Sequence, residues 1–154
     1  MVVLHVLAVS VALLAGAIVL VLRKGTALHR RLGWLYAASA SVMAFSSFGI
    51  YEIRNGPSLF HAISVVVLVL VGFAVYQPLR RPRSSTWMSR HLVLMQTSYL
   101  MLVVTGIAQF FDQLPFESPA INAIVFLQLP LVMGIVLISV SARAHLKTPL
   151  SRHG

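Results

Sequence analysis

The sequence contains no cysteine. That excludes disulfide staples, thiolate metal sites, thioether-linked haem and a lipidated cysteine anchor. Charge is also scarce: only 10% of the 154 residues are charged, against about 25% in an ordinary soluble domain. Acids number 3, namely Glu52, Asp112 and Glu117, against 12 lysines and arginines. No Asp, Glu, Lys or Arg falls in the middle of a long apolar run, which argues against a proton pump, a voltage sensor or a transporter with a charged site. The chain has no phosphate-binding loop, no nucleophile motif and no paired carboxylates, so hydrolase and kinase chemistry have nothing to work with.

What is abundant is apolar sequence, at 58% of residues and a mean hydropathy of +0.90. A bilayer core about 30 Å thick needs about 20 apolar helical residues to cross it. Five stretches meet that length, approximately 2–22, 32–51, 59–76, 92–111 and 121–140. Backbone polar groups cannot stay bare in lipid, and these runs are too long and too evenly apolar for barrel strands. The fold class predicted is therefore an all-α membrane protein, a single domain over 1–154 built as a bundle of five transmembrane helices with short loops. Pro130 predicts a kink in the fifth.

The basic residues lie in short runs between the apolar segments, a pattern that suits a membrane surface and not nucleic acid. Arg23, Lys24, Arg30, Arg31, Arg80, Arg81, Arg83, Arg90, Arg143, Lys147 and Arg152 fall on one side of the predicted topology, and only Arg54 on the other. Loops rich in Lys and Arg stay cytoplasmic, which places the N-terminus outside and the C-terminus inside. The first apolar run is followed, not preceded, by its positive charges, so it reads as a retained helix and not as a signal peptide.

An internal repeat is visible. His5 is followed by Gly16, Arg23 and Lys24, and His61 by Gly72, Arg80 and Arg81, with the same interval from histidine to glycine. His29 with Tyr36 then parallels His91 with Tyr99. Helices one and two thus read as a parallel copy of helices three and four.

The 6 histidines are the chain's main chemical resource. His5, His29, His61 and His91 each lie near the start of one of the first four helices, so antiparallel neighbours divide them into an outer pair, His5 and His61, and an inner pair, His29 and His91. Two neutral imidazoles on facing helices are what a b-type haem requires. The positive end of a helix dipole disfavours the imidazolium and keeps a lone pair available. Gly16 and Gly72 lie about three turns, or about 16 Å, deeper on the same faces, where a missing side chain leaves room for a flat macrocycle or a close helix. Inner arginines would neutralise propionates. The competing readings are a Zn, Cu or Fe ion held by His5 and His61 with Glu52 or Asp112, and histidines that only cap or snorkel in an accessory subunit or oligomer. His145 and His153 belong to the basic tail. Gln96, Thr97, Ser98, Tyr99, Asn122 and Gln128 are expected to bond to neighbouring helices.

The run KGTALHRRLGWLY over Lys24 to Tyr36, followed by Phe60, His61 and the later His91, resembles a bacterial family of membrane proteins designated domain of unknown function 2306. The resemblance covers nearly the whole chain and implies a multi-pass protein of the bacterial inner membrane. It brings no established activity and draws attention to His29, His61 and His91. The alternation of histidines between helices one and three and helices two and four is similar, more distantly, to the di-haem transmembrane cytochromes b reduced by ascorbate. That likeness implies one haem near each face and electron transfer, with quinone or another redox protein as partner.

Overall fold

A computed structural model describes residues 1–50 and 58–147, with side chains described through 144. Among these residues there is no strand. The helices are α1 (Val2–Val21), α2 (Ala27–Ser47), α3 (Leu59–Leu79), α4 (Trp87–Gln109), a short α5 (Pro119–Asn122) and α6 (Leu129–Lys147). A 3₁₀ turn (Phe111–Gln113) precedes α5, and a π-helical segment (Ala123–Gln128) joins α5 to α6.

Among the described residues four stretches are long and apolar enough to cross a membrane: Val2–Val21, Leu59–Leu79, Trp87–Gln109 and the continuous Pro119–Ala144. The second of the five expected spans, 32–51, is helical through Ser47 but does not join these four. α2 has the length but not the apolarity. It begins five residues before the predicted 32, because Thr26 caps it: the Thr26 hydroxyl oxygen accepts the His29 N–H at 3.2 Å. The early start brings His29, Arg30 and Arg31 into the helix. Its serines add polarity that is satisfied internally, with Ser39, Ser41, Ser46 and Ser47 each bonding a carbonyl three or four residues back, at 2.7 to 2.9 Å. α3 runs on past the predicted 76, α4 starts before 92 and the last helix continues past 140, since a helix does not stop where hydrocarbon does, whereas α1 and α4 end at Val21 and Gln109, just short of the predicted 22 and 111. Residues 51–57, including the expected outer landmarks Tyr51, Glu52 and Arg54, lie outside the described residues, as does His153.

The chain forms two compact units, Met1–Gly72 and Phe73–Gly154, divided within α3. In the first, α1 and α2 pack antiparallel, for the start of α1 bonds the end of α2. Their buried residues are mostly small: Ala8, Ala12, Ala15 and Gly16 from α1, and Ala37, Ala40 and Ala44 beside Tyr36 and Met43 from α2. Small side chains let two backbones approach, which is how helices gain dispersion contact where lipid offers no hydrophobic drive. Lys24 closes α1, donating to Val19 O and Leu20 O at 2.9 and 2.8 Å. Burial holds its ammonium below the ordinary lysine value. Gly25 turns the chain with φ of +82°, a left-handed conformation that favours glycine.

In the second unit α4 packs against α6 and the π segment. Gly134 lets the Leu100 side chain come close, for a Cβ there would lie 2.5 Å from it. The disruption expected at Pro130 takes the form of that π segment: Leu129 N–H bonds Ile124 O, five residues back, so the helix runs on past a residue that has no N–H to give. Asn122 donates to Phe116 O at 2.8 Å and accepts from Phe116 N at 3.2 Å, fastening the preceding loop to the helix start. Arg83 donates to Pro78 O from Nε and Nη2 and lies over the Trp87 ring at 4.7 Å. The basic runs after α1 and α3 therefore share a job beyond topology, closing the carbonyl ends of those helices.

Candidate functional site

The four histidines predicted as ligands are partly buried and each sits in the first turns of its helix, as expected. Their hydrogen bonds differ in a way that bears directly on ligation. His5 Nδ1 lies 3.0 Å from Met43 O and 3.0 Å from Ser46 Oγ. A carbonyl only accepts, so Nδ1 carries the proton and Nε2 keeps its lone pair. His91 repeats the arrangement in the second unit, with Nδ1 at 2.8 Å from Ala74 O near the end of α3. An imidazole whose Nδ1–H is held by a backbone carbonyl is oriented, and made more basic, for ligation through Nε2.

His61 is held the opposite way. Its Nδ1 accepts the Ser58 N–H at 3.0 Å, with Ser58 Oγ also at 3.0 Å, while His61 N–H bonds Ser58 O. This is one half of a capping box, with the histidine ring in the place of the glutamate carboxylate, and it puts the neutral ring's proton on Nε2. His29 N–H bonds Thr26 Oγ1. His29 belongs to the first unit and His91 to the second.

His5 and His61 both lie by the C-terminal end of α2. His5 bonds Met43 and Ser46, and the Phe48 ring lies 5.9 Å from the His61 ring. The hydroxyl oxygens of Ser47 and Ser64 are 2.9 Å apart, tying α2 to α3 at the same end. Ser46, Ser47, Ser58 and Ser64 form the polar setting of the two histidines. The Ser58 spacing was the readable signal for one of them, a serine three residues before His61. The other three needed the fold.

The two glycines separate. Gly16 is buried in the seam of small residues between α1 and α2. Gly72 is exposed, and a Cβ there would meet nothing within 4 Å. Only Gly72 thus retains the open space expected at both. For a bare metal ion, Asp112 belongs to the second unit and Glu52 lies outside the described residues. Among the described residues no three His, Asp or Glu side chains gather.

The second unit also holds an open groove of about 500 Å³ between the end of α3, the start of α4 and the end of α6, lined by Phe73, Gln77, Ser89, Arg90, Val93, Leu94 and Ala142. Sequence reasoning missed it, because its walls come from three separated segments.

No curated protein and no solved structure matches the chain. A family model described as predicted membrane protein (DUF2306) matches residues 2–141, and the chain belongs to that family.

Proposed function

We propose that this membrane protein is a small b-type cytochrome that holds haem in its first unit between His5 and His61 and exchanges electrons with a quinone or a redox protein. The observation that carries the reading is the His5 ring, whose Nδ1–H is fixed on Met43 O with Nε2 left as a lone pair. His61 lies by the same end of α2, its ring 5.9 Å from that of Phe48. To ligate, His61 must give up the Ser58 N–H bond, at a cost of about 0.5–1.5 kcal/mol. A bare Zn, Cu or Fe ion fits less well: it needs three or four protein ligands, whereas a macrocycle brings its own four nitrogens and asks the protein for two. Bound haem would supply one-electron transfer. The chain's part is to orient the two imidazoles and exclude water with the apolar helices around them. The positive-inside rule supports a cytoplasmic location for the basic helix ends that carry Arg23, Arg80 and Arg143, in a bacterial inner membrane.

A second reading draws on the same bonds. Since His5, His61 and His91 all have partners within the protein, the histidines serve packing alone and the chain is a non-catalytic subunit of a larger assembly or an oligomer.

Asparagine separates the two. Its amide nitrogen mimics Nδ1–H at position 5 and its amide oxygen mimics the Nδ1 acceptor at position 61, but neither reproduces Nε2. Haemin titrated into the purified protein is expected to bind at one equivalent in the wild type with a sharp Soret band, and to lose that band in His5→Asn and in His61→Asn. Failure of the wild type to take up haemin, or an unchanged band in His5→Asn, overturns the cytochrome reading.

A further inference from the structure

Pro78 lies inside α3, next to its last residue. A proline has no N–H, and its ring crowds the carbonyl four residues back, so Ala74 O loses its donor within the helix and tilts outward. Ala74 is fully buried, where a bare acceptor is costly. His91 supplies the missing donor from α4, its Nδ1–H 2.8 Å from Ala74 O. One turn further along α3, Pro78 O accepts from Arg83 Nε and Nη2 at 3.2 and 3.0 Å, and that guanidinium lies over the ring of Trp87. Trp87 and His91 are one turn apart on α4, as Ala74 and Pro78 are on α3, so the two contacts stack along one side of each helix. The first unit supplies a control. Leu22 stands at the same interval from Gly16 as Pro78 does from Gly72, and its N–H bonds Ile18 O at 3.1 Å. With that donor in place, Ile18 O needs nothing from another helix.

We propose that Pro78 and His91 form a latch: the proline frees one carbonyl of α3, the imidazole of α4 takes it, and the bond holds the α3–α4 hairpin closed at its basic end. A ring that only filled space would have no reason to meet the one carbonyl that the proline frees. The same bond positions the ring. A carbonyl only accepts, so the His91 proton stays on Nδ1 and the lone pair on Nε2, and a ligand taken at Nε2 leaves the latch shut. Pro78 thus acts through His91 as a positioning residue. The latch lies wholly in the second unit and does not depend on the haem reading of the first.

Denaturant unfolding of the full chain in mixed micelles, with spin-label distances between Leu79→Cys and Met88→Cys in this otherwise cysteine-free sequence, tests the latch. His91→Ala is expected to raise the unfolding equilibrium constant about tenfold, because it leaves Ala74 O bare. Beside Pro78→Ala the same change should raise it less than about twofold, since residue 78 then has an N–H for that carbonyl. His91→Ala should also broaden the distribution of label distances, and His91→Asn, whose amide N–H stands in for Nδ1–H, should keep it narrow. Nitrogen NMR of the imidazoles should find the His91 proton on Nδ1. An equal cost of His91→Ala with and without Pro78 overturns the proposal and leaves the ring to packing. A distribution as broad in His91→Asn as in His91→Ala overturns it too, as does a proton on Nε2. If His91→Ala does not fold alone, it should fold beside Pro78→Ala, and failure in both backgrounds overturns the latch.

Discussion

Replacing His5 by alanine and by asparagine separates what this side chain does for the fold from what its free nitrogen does for a ligand. The imidazole donates from Nδ1 to Met43 O and Ser46 Oγ, both at 3.0 Å, and so pins the start of α1 to the end of α2. One net hydrogen bond is worth about 0.5–1.5 kcal/mol, and bonds between membrane helices average about 0.6 kcal/mol with a maximum near 1.7. Alanine also removes part of a half-buried ring, so His5→Ala should destabilise by about 1–2 kcal/mol. Asparagine places an amide N–H near the Nδ1 position and should recover most of that loss. The assay is unfolding of the purified protein in mixed micelles, followed by the helical circular dichroism signal, with both variants and the wild type under one denaturant series. Asparagine as damaging as alanine would refute the assigned donor. An alanine variant as stable as wild type would refute the bond itself.

The two glycines that look alike in sequence should behave differently: Gly16→Leu should cost about 1–3 kcal/mol by overfilling a buried seam, whereas Gly72→Ala should be neutral or gain up to about 1 kcal/mol in helix propensity. Thermal melts in detergent check both. Gly134→Ala should force the Leu100 side chain aside and loosen α4 from α6, and Leu100→Ala in the same chain should restore most of the loss, as read by a double-mutant cycle. Gln96 Oε1 is buried with no hydrogen-bond donor among the described residues, so Gln96→Leu should leave stability unchanged or raise it. A drop of more than about 1 kcal/mol would contradict that assignment.

The apolar runs told most of the fold, because a helix in lipid is dictated by length and composition. α2 escaped that logic in part. Its polarity is hidden by serines bonding their own helix and by a buried small-residue face, and neither feature enters a reading by apolarity. The histidines were legible as helix-start residues, since position along a span follows from counting. Their protonation was not, for it depends on whether the nearest group is a carbonyl of another helix, as for His5 and His91, or an N–H of the same one, as for His61. Equal spacing made Gly16 and Gly72 seem equivalent, but spacing says nothing of what lies opposite, and one is packed while the other is open. Pro130 announced a disturbed helix, and the form it took depended on a π turn just before it. The groove beside Gln77 and Arg90 was illegible, for no local pattern joins residues 73, 90 and 142.

The central claim is most directly tested by the optical spectrum of the protein purified from haem-replete cells, recorded oxidised and then reduced with dithionite, with a pyridine haemochrome count. A Soret band with sharp reduced α and β bands and one haem per chain in the first unit, absent from His5→Asn, is the predicted result. A featureless spectrum from folded wild-type protein would contradict the account and leave the histidines to packing alone.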